Sequence, residues 1–181
     1  METKNGNQSK INPENKSIKI TIILPTHAYF LSGIRDFTLN LIKNMTDFSE
    51  QWAYRFQSVV DELCNNAIEH GSDPGEEIII SFNTNPHESI EINVEDTGTA
   101  KIHLKASEIN AIVEERRSTA YTNKGIRGRG LSKIVAEWSD ELEFIDVPAN
   151  GGIRVRVKKY LNDPKFKETL PSHDPTHLIL N

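Results

Sequence analysis

Apolar and polar positions along this chain change period several times, and each change marks an element. In "SIKITIIL", residues 17–24, Ile18, Ile20 and Ile22 alternate with Lys19 and Thr21, the period-two signature of a strand. Pro25 stops it, and Thr26 is placed to cap the next helix. Residues 28–45 carry Phe30, Ile34, Phe37, Leu41 and Ile42 at helical spacing. Residues 47–70 read as a second helix that Asp47 or Ser49 can start, with Gly71 where a C-terminal cap belongs. Period two returns in "EEIIISFNT" and "ESIEINVED". Residues 99–127 are polar and mixed, with a short helix predicted at 105–117. "GIRGRG" then precedes a helix, "LSKIVAEW", whose Trp138 is assigned to the core. The strands "ELEFIDV" and "GIRVRVKKY" come next, joined through "PANGG". This order predicts an α/β (α+β) two-layer sandwich, a mixed and mostly antiparallel sheet with helices on one face.

Composition narrows the class. Residues 1–16 are rich in Asn, Lys, Ser and Glu and read as a disordered segment, and residues 162–181 as a polar tail with three prolines. A single domain is expected over 17–161. The net charge of −5 gives no reason to expect direct contact with nucleic acid. No apolar run approaches the roughly 20 residues needed to span a bilayer. The one cysteine, Cys64, allows no intrachain disulfide and is read as packed in the core. The expected location is cytoplasmic.

Three segments carry candidate chemistry. On the second helix, Trp52, Phe56, Val59, Val60 and Ala67 fall within about 60° of Leu63 on a helical wheel and form the buried face. Glu62, Asn66 and Glu69 make a stripe along its edge, and His70 falls back near the apolar side on the last turn. Such a stripe is either a solvated helix edge or the wall of a cleft, where a carboxylate and an amide oxygen one turn apart suit a hard cation such as Mg²⁺. In "IEINVEDTG", Asp96 has the parity of Ile90, Ile92 and Val94, so a continued strand aims its carboxylate at the core side. A buried acid needs a donor, such as the exocyclic amine of adenine, and Gly98 permits a sharp turn beside it. The alternative is that the strand ends at Glu95 and Asp-Thr-Gly begins a turn. In "NKGIRGRGLSKI", Gly125, Gly128 and Gly130 precede a helix, with Lys124, Arg127 and Arg129 adding positive charge. That is an anion site or a hinge. It is neither a P-loop nor a dinucleotide fingerprint.

Taken in order, E-x-x-x-N on a helix, D-x-G after a strand and G-x-G-L opening a helix resemble the nucleotide pocket of the GHKL ATPases, across roughly residues 18–160. Within that superfamily the chain looks like the anti-sigma-factor serine/threonine kinases of the RsbW and SpoIIAB type, which have the Bergerat sandwich fold. The resemblance implies ATP and Mg²⁺ as cofactors. It implies Glu62 as general base, Asn66 as Mg²⁺ ligand, Asp96 as adenine reader and Gly98 as the point of close approach to the base. It adds Gly128 and Gly130 as the phosphate-facing turn, with His70, Lys124, Arg127, Arg129 and Leu131 completing the nucleotide site, and residues 99–127 as a lid. Its implied partners are a sigma factor, an anti-anti-sigma protein of the STAS fold and a second copy of the chain, docked through Ile18–Leu24 and helix 27–45. Two positions depart from the pattern. Ala100 replaces a further glycine, and Ile153 stands where relatives carry a threonine. These departures favour the alternative of a nucleotide-binding regulatory module with little or no kinase activity. A histidine-kinase catalytic piece would need a phospho-acceptor helix pair, for which there is no room before His27.

Overall fold

The computed structural model of the chain describes residues 17–100, 104–117 and 138–162. Its elements in chain order are β1 (Ile18–Pro25), a 3-10 turn (Ala28–Phe30), α1 (Leu31–Met45), α2 (Glu50–Asn66), a π turn (Ala67–Gly71), β2 (Glu77–Asn85), β3 (Ser89–Glu95), α3 (Ala106–Arg117), β4 (Glu141–Val147) and β5 (Gly152–Tyr160). The sheet order is β1-β2-β3-β5-β4, and every neighbouring pair is antiparallel. The two-layer sandwich expected from the periodicity is therefore the observed fold.

Local chemistry sets the helix boundaries. Ser49 starts α2, its hydroxyl accepting the Trp52 N–H at 3.4 Å, so Asp47 is not the cap. Thr26 is not a cap either. Its hydroxyl donates to the Asp73 carbonyl at 3.0 Å and accepts the Gly75 N–H at 3.1 Å, and His27 caps the 3-10 turn instead by accepting from Tyr29 N–H. Gly71 is no left-handed cap, because the glycines with positive φ among the described residues are Gly75, Gly98 and Gly151. Instead the last turn of α2 widens into a π turn that ends at Gly71, with Ser72 as its C-cap. A π turn inserts a residue into the helical repeat and rotates the subsequent residues relative to the helix face.

The core lies between the helices and one face of the sheet. Ile34, Leu41 and Ile42 of α1, and Trp52, Phe56, Val59, Val60 and Leu63 of α2, pack against Ile78, Ile80, Phe82, Ile90, Ile92, Val94 and Val157. All are nearly inaccessible, which makes this burial the main stabilising term. Trp138 is half-buried against the same core, whereas Phe30 stays exposed on its 3-10 turn. Cys64 is fully covered, and burial pushes its thiol up to about 12, which leaves it unreactive. A smaller apolar cluster, Ala106, Val113, Phe144 and Ile153, seats α3 on β4 and β5. The Ala106 N–H donates to Asp146 Oδ1 at 2.9 Å and ties the first turn of α3 to β4. Among the described residues no helix is long and apolar enough to cross a membrane.

The other face of the sheet is polar and carries a charge network. Arg156 of β5 contacts Glu91 of β3 and Glu141 and Glu143 of β4, each at 2.9 Å. Partial burial would raise the Glu91 carboxyl, but hydrogen bonds from Asn93, Arg156 and Asn83 outweigh it and hold it below the ordinary range. The Tyr160 hydroxyl, and then Arg156, hold Glu141 low as well. A carboxylate with a depressed folded pKa stabilises the fold above its unfolded pKa and loses that contribution as pH falls through the folded value. The urea midpoint should therefore drop as pH falls below about 4.3, the ordinary glutamate value. In Arg156→Gln the neutral-pH stability should be lower and the acid dependence shallower. Parallel acid dependences in the two proteins would rule this network out as its source.

Candidate functional site

The end of α2, the middle of the sheet and α3 border a half-open cavity of about 160 Å³. Leu63, Asn66, Ala67, His70 and Gly71 line it from α2 and the π turn, and Val94 and Asp96 from the end of β3. Phe144, Ile153 and Val155 come from β4 and β5, and Leu104 and Ile109 from the α3 side. Most of that surface is hydrocarbon, and Asp96 is the one acidic residue among the described lining residues. Cavities that hold whole drug-sized ligands usually run to about 300 Å³ or more, so this half-open space suits one ring system rather than an entire nucleotide.

Asp96 is held at several points. It is 9 % exposed. Its N–H donates to the Ile153 carbonyl at 3.1 Å, and its Oδ1 accepts the N–H groups of Gly98 at 3.0 Å and Ile153 at 2.9 Å. Both sequence readings of this segment hold. The regular strand ends at Glu95, yet the parity of Ile90, Ile92 and Val94 carries on and buries Asp96. Gly71 explains how the carboxylate fits. A Cβ there would lie 2.2 Å from Asp96 Oδ2, so only glycine lets the helix end approach it. Gly98 adopts φ +66° and has the hairpin backbone against it, 2.3 Å from where a Cβ would stand.

On α2, Asn66 Nδ2 donates to the Glu62 carbonyl at 2.8 Å and to Glu62 Oε1 at 3.0 Å. Two acceptors on one side fix the amide orientation, because a flip would set oxygen against oxygen. Asn66 Oδ1 is thereby directed away from Glu62. Glu69 does not join the stripe. The π turn displaces it, and it is 68 % exposed with His70 Nε2 3.9 Å away. His70 is largely exposed and contributes to the cavity lining. Lys124, Arg127, Gly128, Arg129, Gly130 and Leu131 lie outside the described residues. Among the described residues no group of three or more His, Cys, Asp or Glu side chains gathers as a metal site.

Several supports of Asp96 have no sequence motif. Ser72 Oγ accepts the Thr97 N–H at 3.1 Å, Thr99 Oγ1 accepts the Asp73 N–H at 2.9 Å, and Asn150 reaches the Asp96 carbonyl. Each bridges segments at least 25 residues apart, so no local spacing reveals it. At the two departures from the family pattern, Ile153 is 3 % exposed with its side chain in the cavity wall, and Ala100 sits just past the Asp96 turn.

A family model described as histidine kinase-like ATPase domain matches residues 25–159, most of the chain. A search of curated proteins found no significant match. The chain belongs to the histidine kinase-like ATPase family, and ATP is the ligand that membership indicates.

Proposed function

We propose that this protein is an anti-sigma factor and Mg²⁺-dependent serine/threonine kinase, which sequesters a sigma factor and phosphorylates a STAS-domain anti-anti-sigma partner in the cytoplasm. The observation that supports it most is Asp96, an acid pinned through Oδ1 at the wall of a base-sized apolar cavity. The residues present suit adenine. Asp96 Oδ2 is an acceptor for the 6-amino group, Gly71 lets the helix end close on that carboxylate, and Val94, Ile153 and Val155 offer hydrocarbon to the ring faces. Asn66 Oδ1 is the oxygen suited to a hard cation, which when bound neutralises phosphate charge. Glu62 stands beside it. In phosphoryl transfer its carboxylate takes the proton of the attacking hydroxyl while that oxygen bonds to the γ-phosphorus, and the bond to the bridging oxygen breaks to leave ADP. A homodimer is part of the proposal. β1 is an edge strand, and its Ile23 is 56 % exposed.

Calorimetric titration of the full chain with Mg-ATP tests this reading, followed by transfer of labelled phosphate to a STAS-domain partner. Wild type should bind, and Glu62→Gln should bind equally while losing about 10²- to 10⁴-fold in transfer rate. Absence of binding by folded wild type would sink the kinase, leaving an interaction module of the same fold. Ile153 favours the second reading, a regulatory module that binds nucleotide with little transfer. Its methyl groups occupy the cavity wall where relatives place a hydroxyl. Binding without transfer in wild type would select that reading.

A further inference from the structure

The hairpin between β4 and β5 is legible in the sequence only as a turn, yet it packs against the acid of the site. A Cβ on Gly152 would lie 2.0 Å from the Asp96 carbonyl oxygen, and one on Gly98 would lie 2.3 Å from the Gly151 carbonyl oxygen. The two backbones are therefore in direct contact. Asn150 spans them with both ends of its amide. Its Oδ1 accepts the Gly152 N–H at 2.9 Å, and its Nδ2 donates to the Asp96 carbonyl at 3.3 Å. The next residue along β5, Ile153, supplies an N–H that pins Asp96 Oδ1. One side chain thus ties the turn to the Asp96 main chain, beside the two direct hydrogen bonds between Asp96 and Ile153.

We propose that Asn150 is a positioning residue for base recognition: by stapling the β4–β5 hairpin to the Asp96 main chain, it holds the carboxylate so that Oδ2 meets the 6-amino group of a purine. The inference rests on the nucleotide reading above and extends it to a residue outside all three sequence boxes. Asn150 touches no nucleotide atom in this scheme and acts only through Asp96. Its loss should reduce discrimination for the amino group, not affinity in general.

The test compares Mg-ATP with the Mg complex of purine riboside triphosphate, which lacks the 6-amino group. Affinities are measured by calorimetry for wild type, Asn150→Ala and Asn150→Asp. Asn150→Asp keeps the acceptor for Gly152 N–H and puts a charged oxygen in place of the donor to Asp96, so it decides the matter should Asn150→Ala fail to fold. Wild type should prefer ATP. Both variants should lose about fivefold of that preference, the scale of one hydrogen bond, with affinity for the amino-less nucleotide unchanged. An unchanged preference overturns the proposal, and so does an equal fall in both affinities, which would make Asn150 a hairpin staple only. Wild type that binds ATP no better than the amino-less analogue would instead sink Asp96 as base reader, and this inference with it.

Discussion

Asp96→Asn should leave the protein folded while weakening Mg-ATP binding by about 100-fold, the scale of losing a charge-assisted hydrogen bond in a buried site. The two carboxylate oxygens are unlike. Oδ1 accepts two backbone N–H groups, from Gly98 and Ile153. An asparagine keeps that arrangement only by placing its own oxygen there. Its NH₂ group then points where Oδ2 stood, and a donor meets the 6-amino donor of adenine. Flipping the amide would set NH₂ against two N–H groups and break the turn. The variant therefore retains the structural half of the residue and reverses the recognition half. Calorimetry reads the affinity, and thermal unfolding checks that the midpoint moves little. Undiminished binding by a folded Asp96→Asn protein would place the base elsewhere.

Asp140→Ala should be strongly destabilising, costing about 3–5 kcal/mol, the usual penalty for stripping one partner from a buried ion pair. Lys159 Nζ lies 2.7 Å from Asp140 Oδ1, and the two side chains are only 2 % and 10 % exposed. Asp140 also accepts the Tyr160 N–H through Oδ2 at 2.7 Å. The ammonium sits 5.1 Å from the centre of the Trp52 ring, and Arg55 stacks on the same ring at 4.5 Å. Removing the carboxylate leaves a buried cation in this aromatic corner beside α2. Lys159→Met should cost less, because Asp140 keeps the Tyr160 N–H. The double variant Asp140→Ala/Lys159→Met should cost less than the sum of the two singles, since the charges are coupled. Urea unfolding measures all three. A cost below about 1 kcal/mol for Asp140→Ala would mean that the lysine stem lets its head reach water instead.

Much of the fold can be read from spacing. β4 and β5 have the bounds that alternation predicts, and the apolar face assigned to α2 is the face that packs. Such patterns are readable because a side chain's direction depends on its place in a repeat of two or 3.6 residues. Spacing misleads where the repeat breaks or a distant segment intervenes. An ideal helix extended past Asn66 puts Glu69 on the stripe, but the π turn carries it into solvent. Thr26 has good capping chemistry, but the loop before β2 offers its hydroxyl two partners from 47 and 49 residues away. Gly71 sits where backbone freedom would end a helix, and it is needed instead for its missing side chain.

Sequence alone thus determined the layer architecture, the family and a polar helix edge, and it offered an inward acid at Asp96 as one of two readings. These come from local periodicity and from short motifs whose spacing is a property of the chain. Only the tertiary structure decided that two backbone N–H groups would hold Asp96 by Oδ1, that Gly71 and Gly98 would be pressed against separate neighbours, and that Asn150 would join the site at all. Those outcomes depend on hydrogen bonds and close contacts between segments remote in sequence, and such contacts exist only once the sheet has paired and the helices have packed upon it.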